Sequence, residues 1–309
     1  MRRVNALLVF SIGLVLLGAA AAGAQGRGKE IVVGLGAEPR TMLAATIVDW
    51  TTNNMLEHIY DRLLDRDAKT LKPRPMLATG WKIVNDTTWE FALRQGVKFH
   101  NGEPFNAHSV KATLEYALDP ATKSHYAASA YWKPVKEVQI VNDYTVRLVT
   151  EKPWPSLIDH ASLTNSLMMP AKALKEQGAQ ALAQKPLGTG PFKFVEWKRD
   201  ERLVLERNAD YWQGPADATR VTFRFIPEFS ARLAALLSGE IDVMKDVPPH
   251  VVDAVERIFA RPDFSTASSA CGGTSFMTSI SPESSAARRA LNSGMKRNVT
   301  FDTSAGPCQ

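Results

Sequence analysis

The chain has 309 residues, 45% of them hydrophobic, which is enough for two modest domains or one large domain with a buried core. The formal net charge is +5, but basic and acidic residues are interleaved and no run of Lys and Arg occurs. This pattern argues against a nucleic-acid-binding protein and predicts a mixed, solvated surface.

The N-terminus has the features of a secretory signal peptide. Arg2 and Arg3 precede an apolar run, residues 6–17, that is too short to cross a bilayer. Small residues follow, and residues 22–24 (Ala-Gly-Ala) fit an A-x-A cleavage site. We expect residues 1–24 to be removed on export, which leaves no membrane span and places the protein in the periplasm. The alternative is a retained membrane anchor.

The first predicted strand, residues 29–35, leads into an incomplete glycine motif. Gly34 and Gly36 match the start of a dinucleotide-binding fingerprint, but Pro39 replaces its third glycine. A strand followed by a turn is therefore a better interpretation than a nucleotide site. Residues 51–64 come next, with apolar side chains at the spacing of an amphipathic helix.

Two similar β-hairpins are predicted further along the chain. Each has alternating apolar residues on both sides of an Asn-Asp pair, with loops at residues 85–87 and 142–144. We expect the hairpins to be neighbours in one fold. The predicted cross-strand pairs are Ile83 with Trp89, Trp81 with Phe91, Ile140 with Val146, and Val138 with Leu148.

The remaining elements mix helices and strands without strict alternation, which predicts an α/β (mixed α+β) fold. The first of them is a helix that Asn106 caps and that runs to Leu118. The others are a hairpin over residues 192–205 with a charged turn at 198–201, a strand at 221–226, a helix from Phe229 that Gly239 ends, a strand at 241–244, and a helix from Pro248 to Phe259.

The composition changes near Arg261. Residues 263–309 contain ten Ser and five Thr but no Trp or Tyr, and they show no sustained periodicity. Such a segment buries too little apolar surface to offset its ordering entropy. We expect a folded region at residues 25–262 and an aberrant, disordered Ser/Thr-rich tail at 263–309. The only cysteines, Cys271 and Cys308, lie in this tail, and whether they pair is left open.

No catalytic motif is present in the sequence. It has no G-x-S-x-G elbow, no H-E-x-x-H helix and no Walker loop, so we expect no enzyme, no cofactor and no metal site. The six histidines are dispersed, and capping or surface roles suit them better than metal binding. Three tryptophans, Trp81, Trp89 and Trp197, lie in predicted strands and are expected in the core. Tyr126 and Trp132 lie in a predicted loop and are candidates for a ligand cleft.

Several segments together resemble the signature of the extracellular solute-binding proteins of family 5, the peptide, nickel and opine class. They are residues 81–105 (WKIVNDTTWEFALRQGVKFHNGEPF), residues 188–192 (Gly-Thr-Gly-Pro-Phe), Tyr211-Trp212, and residues 237–242 (Leu-Ser-Gly-Glu-Ile-Asp). The resemblance implies a two-lobed, class II, cluster C-like binding protein that encloses a solute between its lobes. It further implies docking on an ABC permease in the inner membrane.

In that family, three positions that touch the ligand correspond to Glu38, Tyr126 and Lys245. Glu38 matches an acidic residue after the first strand, and Tyr126 matches a tyrosine that faces the cleft. Lys245 lies where a ligand-touching residue follows the Gly-Glu-Ile-Asp strand, although the residue type differs. Residues 40–43 also depart from the family's usual Leu-Asp-Pro.

We expect the chain to comprise only lobe I, with an inserted hairpin and helix subdomain at about residues 50–180. Our hypothesis is that a truncation or a frameshift removed the second lobe. We expect a periplasmic component for import of short peptides that binds them weakly. Dipeptides, longer peptides, glutathione, opines, nickel chelates and haem stay open as solutes. One alternative is a non-transporting remnant, or a chaperone-like module, that docks on a permease. Another is a secreted hydrolase, which the missing nucleophile–base motif disfavours.

Overall fold

A computed structural model describes residues 29–46, 49–122, 130–163, 166–248 and 251, which form two main β-sheets and a short two-stranded sheet with helices around them. The strands are β1 (Lys29–Leu35), β2 (Leu64–Arg66), β3 (Pro73–Pro75), β4 (Ala78–Asn85), β5 (Thr88–Leu93), β6 (Val135–Asn142), β7 (Thr145–Thr150), β8 (Phe192–Lys198), β9 (Arg202–Arg207), β10 (Ala218–Phe225) and β11 (Val243–Met244). The α-helices are α1 (Trp50–Leu56), α2 (Ala107–Leu118), α3 (Leu157–Ala161), α4 (Ala171–Gln177), α5 (Ala179–Gln184) and α6 (Phe229–Ser238).

The larger sheet has the strand order β11-β1-β10-β9-β8. Strand β1 runs parallel to both β10 and β11, whereas β9 runs antiparallel to its two neighbours, β8 and β10. The register opposes Leu35 to Phe225 and Arg224 to Arg202, so the β8–β9 turn lies at the same edge as the carboxyl ends of the parallel strands. We call this the carboxyl edge; it comprises residues 36–40, 198–201, 226–228 and 245–247.

The second sheet consists of the two predicted hairpins side by side, in the order β4-β5-β7-β6. All four cross-strand pairs predicted from the sequence occur, and β5 pairs with β7 to join the hairpins. The turns are tighter than predicted, because Asn85 pairs with Thr88 and Asn142 with Thr145. Ile83 is 62% exposed, since it lies near the tip of its hairpin beyond the core.

In two of the predicted helices, the predicted capping residue marks the helix terminus. The side chain of Asn106 accepts a hydrogen bond from the His108 N–H at 3.0 Å and starts α2, which runs to Leu118. Helix α6 ends at Gly239, which has a left-handed φ of 79° that glycine adopts without strain.

The helix predicted over residues 51–64 is too long. Helix α1 ends at Leu56, because the carbonyls of His58 and Ile59 accept hydrogen bonds from Phe192 and Gly190 instead of continuing a helical ladder. Ile59 is nevertheless fully buried. The apolar spacing over residues 51–64 therefore reflects burial of these side chains and not a continuous helix.

One large hydrophobic core underlies each main sheet, and a smaller one lies between α6 and the larger sheet. All tryptophans except the exposed Trp50 belong to the two large cores. Trp89 is buried as expected, and Trp81 and Trp197 are half-buried. Trp132 is only 1% exposed and packs edge-on against Trp154 in the core of the hairpin sheet. The prediction of Trp132 as a cleft residue is therefore wrong.

Some predicted segments are shorter than expected or lie outside the described residues. The strand predicted at 241–244 is limited to Val243 and Met244. The signal peptide at residues 1–24, the tail at 263–309 and the last helix (apart from Pro248 and Val251) lie outside the described residues. Within the described part of the chain, no helix combines the length and the apolar character needed to span a membrane.

Candidate functional site

Three loops leave the larger sheet together at the carboxyl edge. The Ile226 N–H donates to Leu35 O at 2.8 Å, and the Lys245 N–H donates to Gly34 O at 3.1 Å. These bonds extend the parallel pairing up to the point where the loops begin. In open α/β sheets, ligands bind outside the carboxyl ends of parallel strands, so this edge is the candidate site.

A buried guanidinium group holds two of these loops in place. The Nη1 atom of Arg232 in α6 donates to Ile226 O and to Pro227 O, each at 2.6 Å, and its Nη2 donates to Asp246 O at 3.1 Å. Arg232 is 4% exposed, and this desolvation lowers the pKa of its guanidinium, while Asp246 and Glu228 act in the opposite direction. One side chain thus fixes the loops that follow β10 and β11.

Gly36 brings the third loop against the same group. Its N–H donates to Asp246 Oδ2 at 3.2 Å. A Cβ atom at Gly36 would lie 3.2 Å from Arg232 Nη1, which is tighter than an ordinary contact, and 3.5 Å from Asp246 Oδ2, so a side chain there would press on the guanidinium. This close approach explains the second glycine of the incomplete fingerprint without a nucleotide.

Backbone strain is concentrated at the carboxyl edge. Three non-glycine residues in the described chain have a positive φ, and two of them, Asp200 (58°) and Asp246 (59°), lie at this edge. Such conformations cost about 1–3 kcal/mol each and persist where the surrounding structure enforces them, often at functional sites.

The structure places Glu38 at the carboxyl edge and in contact with the β8–β9 turn. Its Oε2 accepts hydrogen bonds from Trp197 Nε1 at 3.2 Å and from the Asp200 N–H at 3.3 Å. Its Oε1 lies 3.4 Å from Arg199 Nη1. The guanidinium of Arg199 in turn stacks on the Trp197 ring, 3.6 Å from the ring centroid. Glu38 therefore organises this turn.

Lys245 lies at the same edge but faces the interior. It is 6% exposed, and its charge acts on two buried residues at the end of α1. Burial raises the pKa of Glu57, which Arg62 and then Lys245 oppose. Burial lowers the pKa of His58 to about 4, and Lys245 adds to that effect. Tyr126, the third predicted site residue, lies outside the described residues.

Two of the family motifs converge on Asp61, a residue that the sequence motifs do not include. Its carboxylate is 1% exposed and accepts hydrogen bonds from the Thr189 hydroxyl at 2.9 Å, from Tyr211 Oη at 3.0 Å and from Trp212 Nε1 at 2.8 Å. The Gly-Thr-Gly-Pro segment and the Tyr-Trp pair thus meet in the interior. An aspartate between Tyr60 and Arg62 carries no sequence signal that would reveal this position.

The carboxyl edge contains no metal-binding cluster among the residues described. No group of three His, Cys, Asp or Glu side chains comes together there. Fixed loops, the exposed guanidinium groups of Arg40 and Arg199 and several backbone groups are the features that the carboxyl edge offers for recognition.

Comparisons with known proteins identify the family of the chain. The family of bacterial extracellular solute-binding proteins, family 5 (middle), matches residues 72–303. The glutathione-binding protein GsiB of Escherichia coli K12 is 28% identical over 250 residues, which cover 79% of this chain and 48% of that protein.

Solved structures show the same fold. The periplasmic binding protein DppA of Helicobacter pylori, in complex with the peptide STSA, has a TM-score of 0.67 and 31% identity over 74% of this chain and 49% of its own. The oligopeptide-binding protein AppA of Bacillus subtilis, in complex with a nonapeptide, has a TM-score of 0.68 and 27% identity over 74% of this chain and 46% of its own.

The chain spans about half the length of these relatives, which fits the predicted lobe of a two-lobed binding protein. The matched family consists of solute-binding proteins, not enzymes, in agreement with the prediction made from the lack of catalytic motifs. This chain belongs to family 5 of the bacterial extracellular solute-binding proteins.

Proposed function

We propose that the chain is the solute-recognising part of a periplasmic binding protein that serves an ABC importer, with short peptides or related small solutes as ligands. The family supports this proposal, as do the peptide-bound and glutathione-binding relatives. The N-terminal signature at residues 1–24 supports export, and the partner would be a permease in the inner membrane.

The observation that carries the proposal is the construction of the carboxyl edge. Arg232 and Gly36 bring three loops together, and two aspartates there retain strained backbones. Loops that are fixed before the ligand arrives lose little conformational entropy on binding, which favours affinity. Glu38 and Lys245, two of the three predicted site residues, follow the strands that end here.

A solute at this edge would contact only one side of a cleft. In hinged binding proteins, contacts to both lobes supply the free energy of closure. The affinity of the isolated chain is therefore expected to be weak, because each lost charged hydrogen bond removes about 1.5–3 kcal/mol, or at least a factor of ten.

Binding can be tested by NMR titration of the labelled protein to millimolar solute, a range that detects weak complexes. The probes are the peptide Ser-Thr-Ser-Ala and reduced glutathione, with maltose as a control of different chemistry. We expect the peptides to shift backbone resonances of the four carboxyl-edge segments. No shift with any peptide, or shifts confined to the hairpin sheet, would overturn the proposal.

Export can be tested separately by expressing the full chain in a Gram-negative host. N-terminal sequencing of the periplasmic fraction should find Gln25 as the first residue. A protein that stays in the membrane fraction with Met1 retained would contradict the signal-peptide interpretation.

A further inference from the structure

We propose that Arg199 is the side chain of this lobe that binds a carboxylate of the solute, and that Glu38 positions Arg199 rather than touching the solute itself. The proposal rests on the proposed function, because it assumes that a solute occupies the carboxyl edge.

Arg199 is exposed, yet its orientation is fixed. Its side chain is 60% exposed, while its guanidinium lies flat over Trp197 at 3.6 Å. Trp197 is itself held by the hydrogen bond from its Nε1 to Glu38. A stacked guanidinium loses less rotamer entropy on binding than a mobile one, so it is prepared for a ligand.

The other cations of the β8–β9 turn already have close partners. Lys198 is paired with Glu201. Arg202 bonds Glu196 at 2.6 Å and Glu201 at 2.7 Å. The contact of Arg199 with Glu38 is longer, at 3.4 Å, than the usual 2.7–2.9 Å or so of a charge-assisted bond. Within the described chain, Arg199 is thus the cation of this turn with the most donor capacity left.

The carboxylate of Glu38, in contrast, has little capacity left. One oxygen accepts from Trp197 and Asp200, and the other faces Arg199. Asp200, whose N–H donates to Glu38 at 3.3 Å, has a strained φ of 58°. The bond to Glu38 therefore helps to hold the strained turn that carries Arg199.

The chemistry of the ligand follows from the guanidinium. Its planar N–H groups match the two oxygens of a carboxylate, which they bind in bidentate fashion. Both peptides and glutathione carry a carboxylate. The candidate ligand group is thus a carboxylate at the C-terminus of the solute or on one of its side chains.

The test compares Ser-Thr-Ser-Ala with its C-terminal amide, which differ only in the carboxylate. The proteins are the wild type, Arg199→Ala, Arg199→Lys and, as a matched control, Arg220→Ala. Arg220 is an exposed arginine on β10, at the opposite end of the same sheet. In the strand register its backbone lies opposite Glu30 of β1 and Glu206 of β9. Affinities come from NMR titrations, and the Trp197 indole N–H, assigned with Trp197→Phe, serves as a local probe.

We expect the wild type and Arg220→Ala to bind the free acid about tenfold more tightly than the amide. Arg199→Ala should lose this preference, and Arg199→Lys should keep part of it. The Trp197 indole resonance should shift with the acid but not with the amide. Added salt should reduce the preference, because an exposed ion pair is screened.

Each other outcome is decisive. If Arg199→Ala still prefers the acid by the wild-type factor, another group binds the carboxylate and the assignment is wrong. If the wild type binds acid and amide equally, this lobe does not recognise the carboxylate, although the proposed function stands. If neither peptide shifts any carboxyl-edge resonance, the proposed function fails and this assignment fails with it.

Discussion

Two hydrogen bonds that run in opposite directions join His100 and Gly188. The His100 backbone N–H donates to Gly188 O at 2.8 Å, and the Gly188 N–H donates to His100 Nδ1 at 3.3 Å. The second ring nitrogen, Nε2, donates to Gly190 O at 3.0 Å. Because Nδ1 accepts a hydrogen bond, the imidazole must be neutral. The neutral ring thus connects the 81–105 signature with the Gly-Thr-Gly-Pro segment.

Acid should therefore weaken the fold. Burial lowers the pKa of His100 to about 4, and the nearby Lys193 contributes, while the bond to Gly190 opposes it. The unfolded value is about 6.5, so the unfolded chain takes up the proton first as the pH falls. Stability is retained above about pH 6.5 and is lost between there and about pH 4.

The measurement is urea unfolding at pH 7 and pH 4.5 of the wild type and of His100→Gln. Glutamine can accept from Gly188 and donate to Gly190 but does not titrate. The loss of unfolding free energy on acidification should be smaller in the variant by about 2–3 kcal/mol. Glu57 and Asp61 have raised pKa values through burial and act in the opposite direction, but equally in both proteins. An identical pH dependence of the two proteins would contradict the role of His100.

Replacement of Asp61 by Asn should destabilise the fold, because it weakens the hydrogen bonds that hold the two family motifs in the interior. Burial raises the pKa of Asp61, and the hydrogen bonds from Trp212, Thr189 and Tyr211 oppose this effect. Asn relieves the buried charge but directs an NH₂ group at donors, and the Trp212 N–H cannot rotate away. We expect a loss of about 1–3 kcal/mol in urea unfolding.

A double-mutant cycle with Trp212→Phe identifies the cause of that loss. Once the indole donor is absent, Asp61→Asn should cost less, with a coupling energy of about 1 kcal/mol or more. Strict additivity of the two losses would show that the Asp61–Trp212 bond does not stabilise the fold.

The hairpins and the caps could be predicted from the sequence because local rules determine them. An alternation of apolar residues fixes the register of a hairpin, so the pairs Ile83–Trp89 and Ile140–Val146 followed directly. Asn106 and Gly239 likewise mark helix ends through their own side chain or backbone.

The contacts at the carboxyl edge and those around the buried Asp61 could not be predicted, because they depend on partners far apart in the chain. Glu38 meets Trp197 across 159 residues, and Asp61 meets Thr189 across 128. Arg232 has the sequence context of an ordinary surface residue on an amphipathic helix, and only the fold buries it. The resemblance to a family therefore indicated candidate positions such as Glu38, while the contacts of the side chains required the structure.

Gly188 should not tolerate alanine. A Cβ atom there would lie 1.9 Å from Ile59 O, which is a backbone atom that cannot move without disturbing the bonds around it. We expect Gly188→Ala to lose about 3 kcal/mol or more. The matched control is Gly80→Ala in β4, where no atom lies within 4 Å of the added carbon and the φ is not left-handed. It should be neutral or gain about 0.5–1 kcal/mol. Similar losses for both variants would contradict this account.

Arg232→Lys should loosen the carboxyl edge while the hairpin sheet stays intact. Lysine keeps the charge but cannot reproduce the planar fork that reaches Ile226 O, Pro227 O and Asp246 O together. Loss of these bonds should release the loops after β10 and β11, and with them Gly36. Hydrogen exchange followed by mass spectrometry should then show faster exchange in peptides that cover residues 36–40 and 245–247.

Arg220→Ala provides the matched control for this exchange experiment, since Arg220 lies on the same sheet but away from these loops. In both variants, peptides from β5 and β7 should exchange at the wild-type rate, because no described bond of either arginine reaches them. Uniformly faster exchange in Arg232→Lys would show general destabilisation instead, and unchanged exchange at residues 36–40 and 245–247 would show that Arg232 does not hold the loops. The expected local effect would establish that the buried Arg232 holds the loops that form the candidate site.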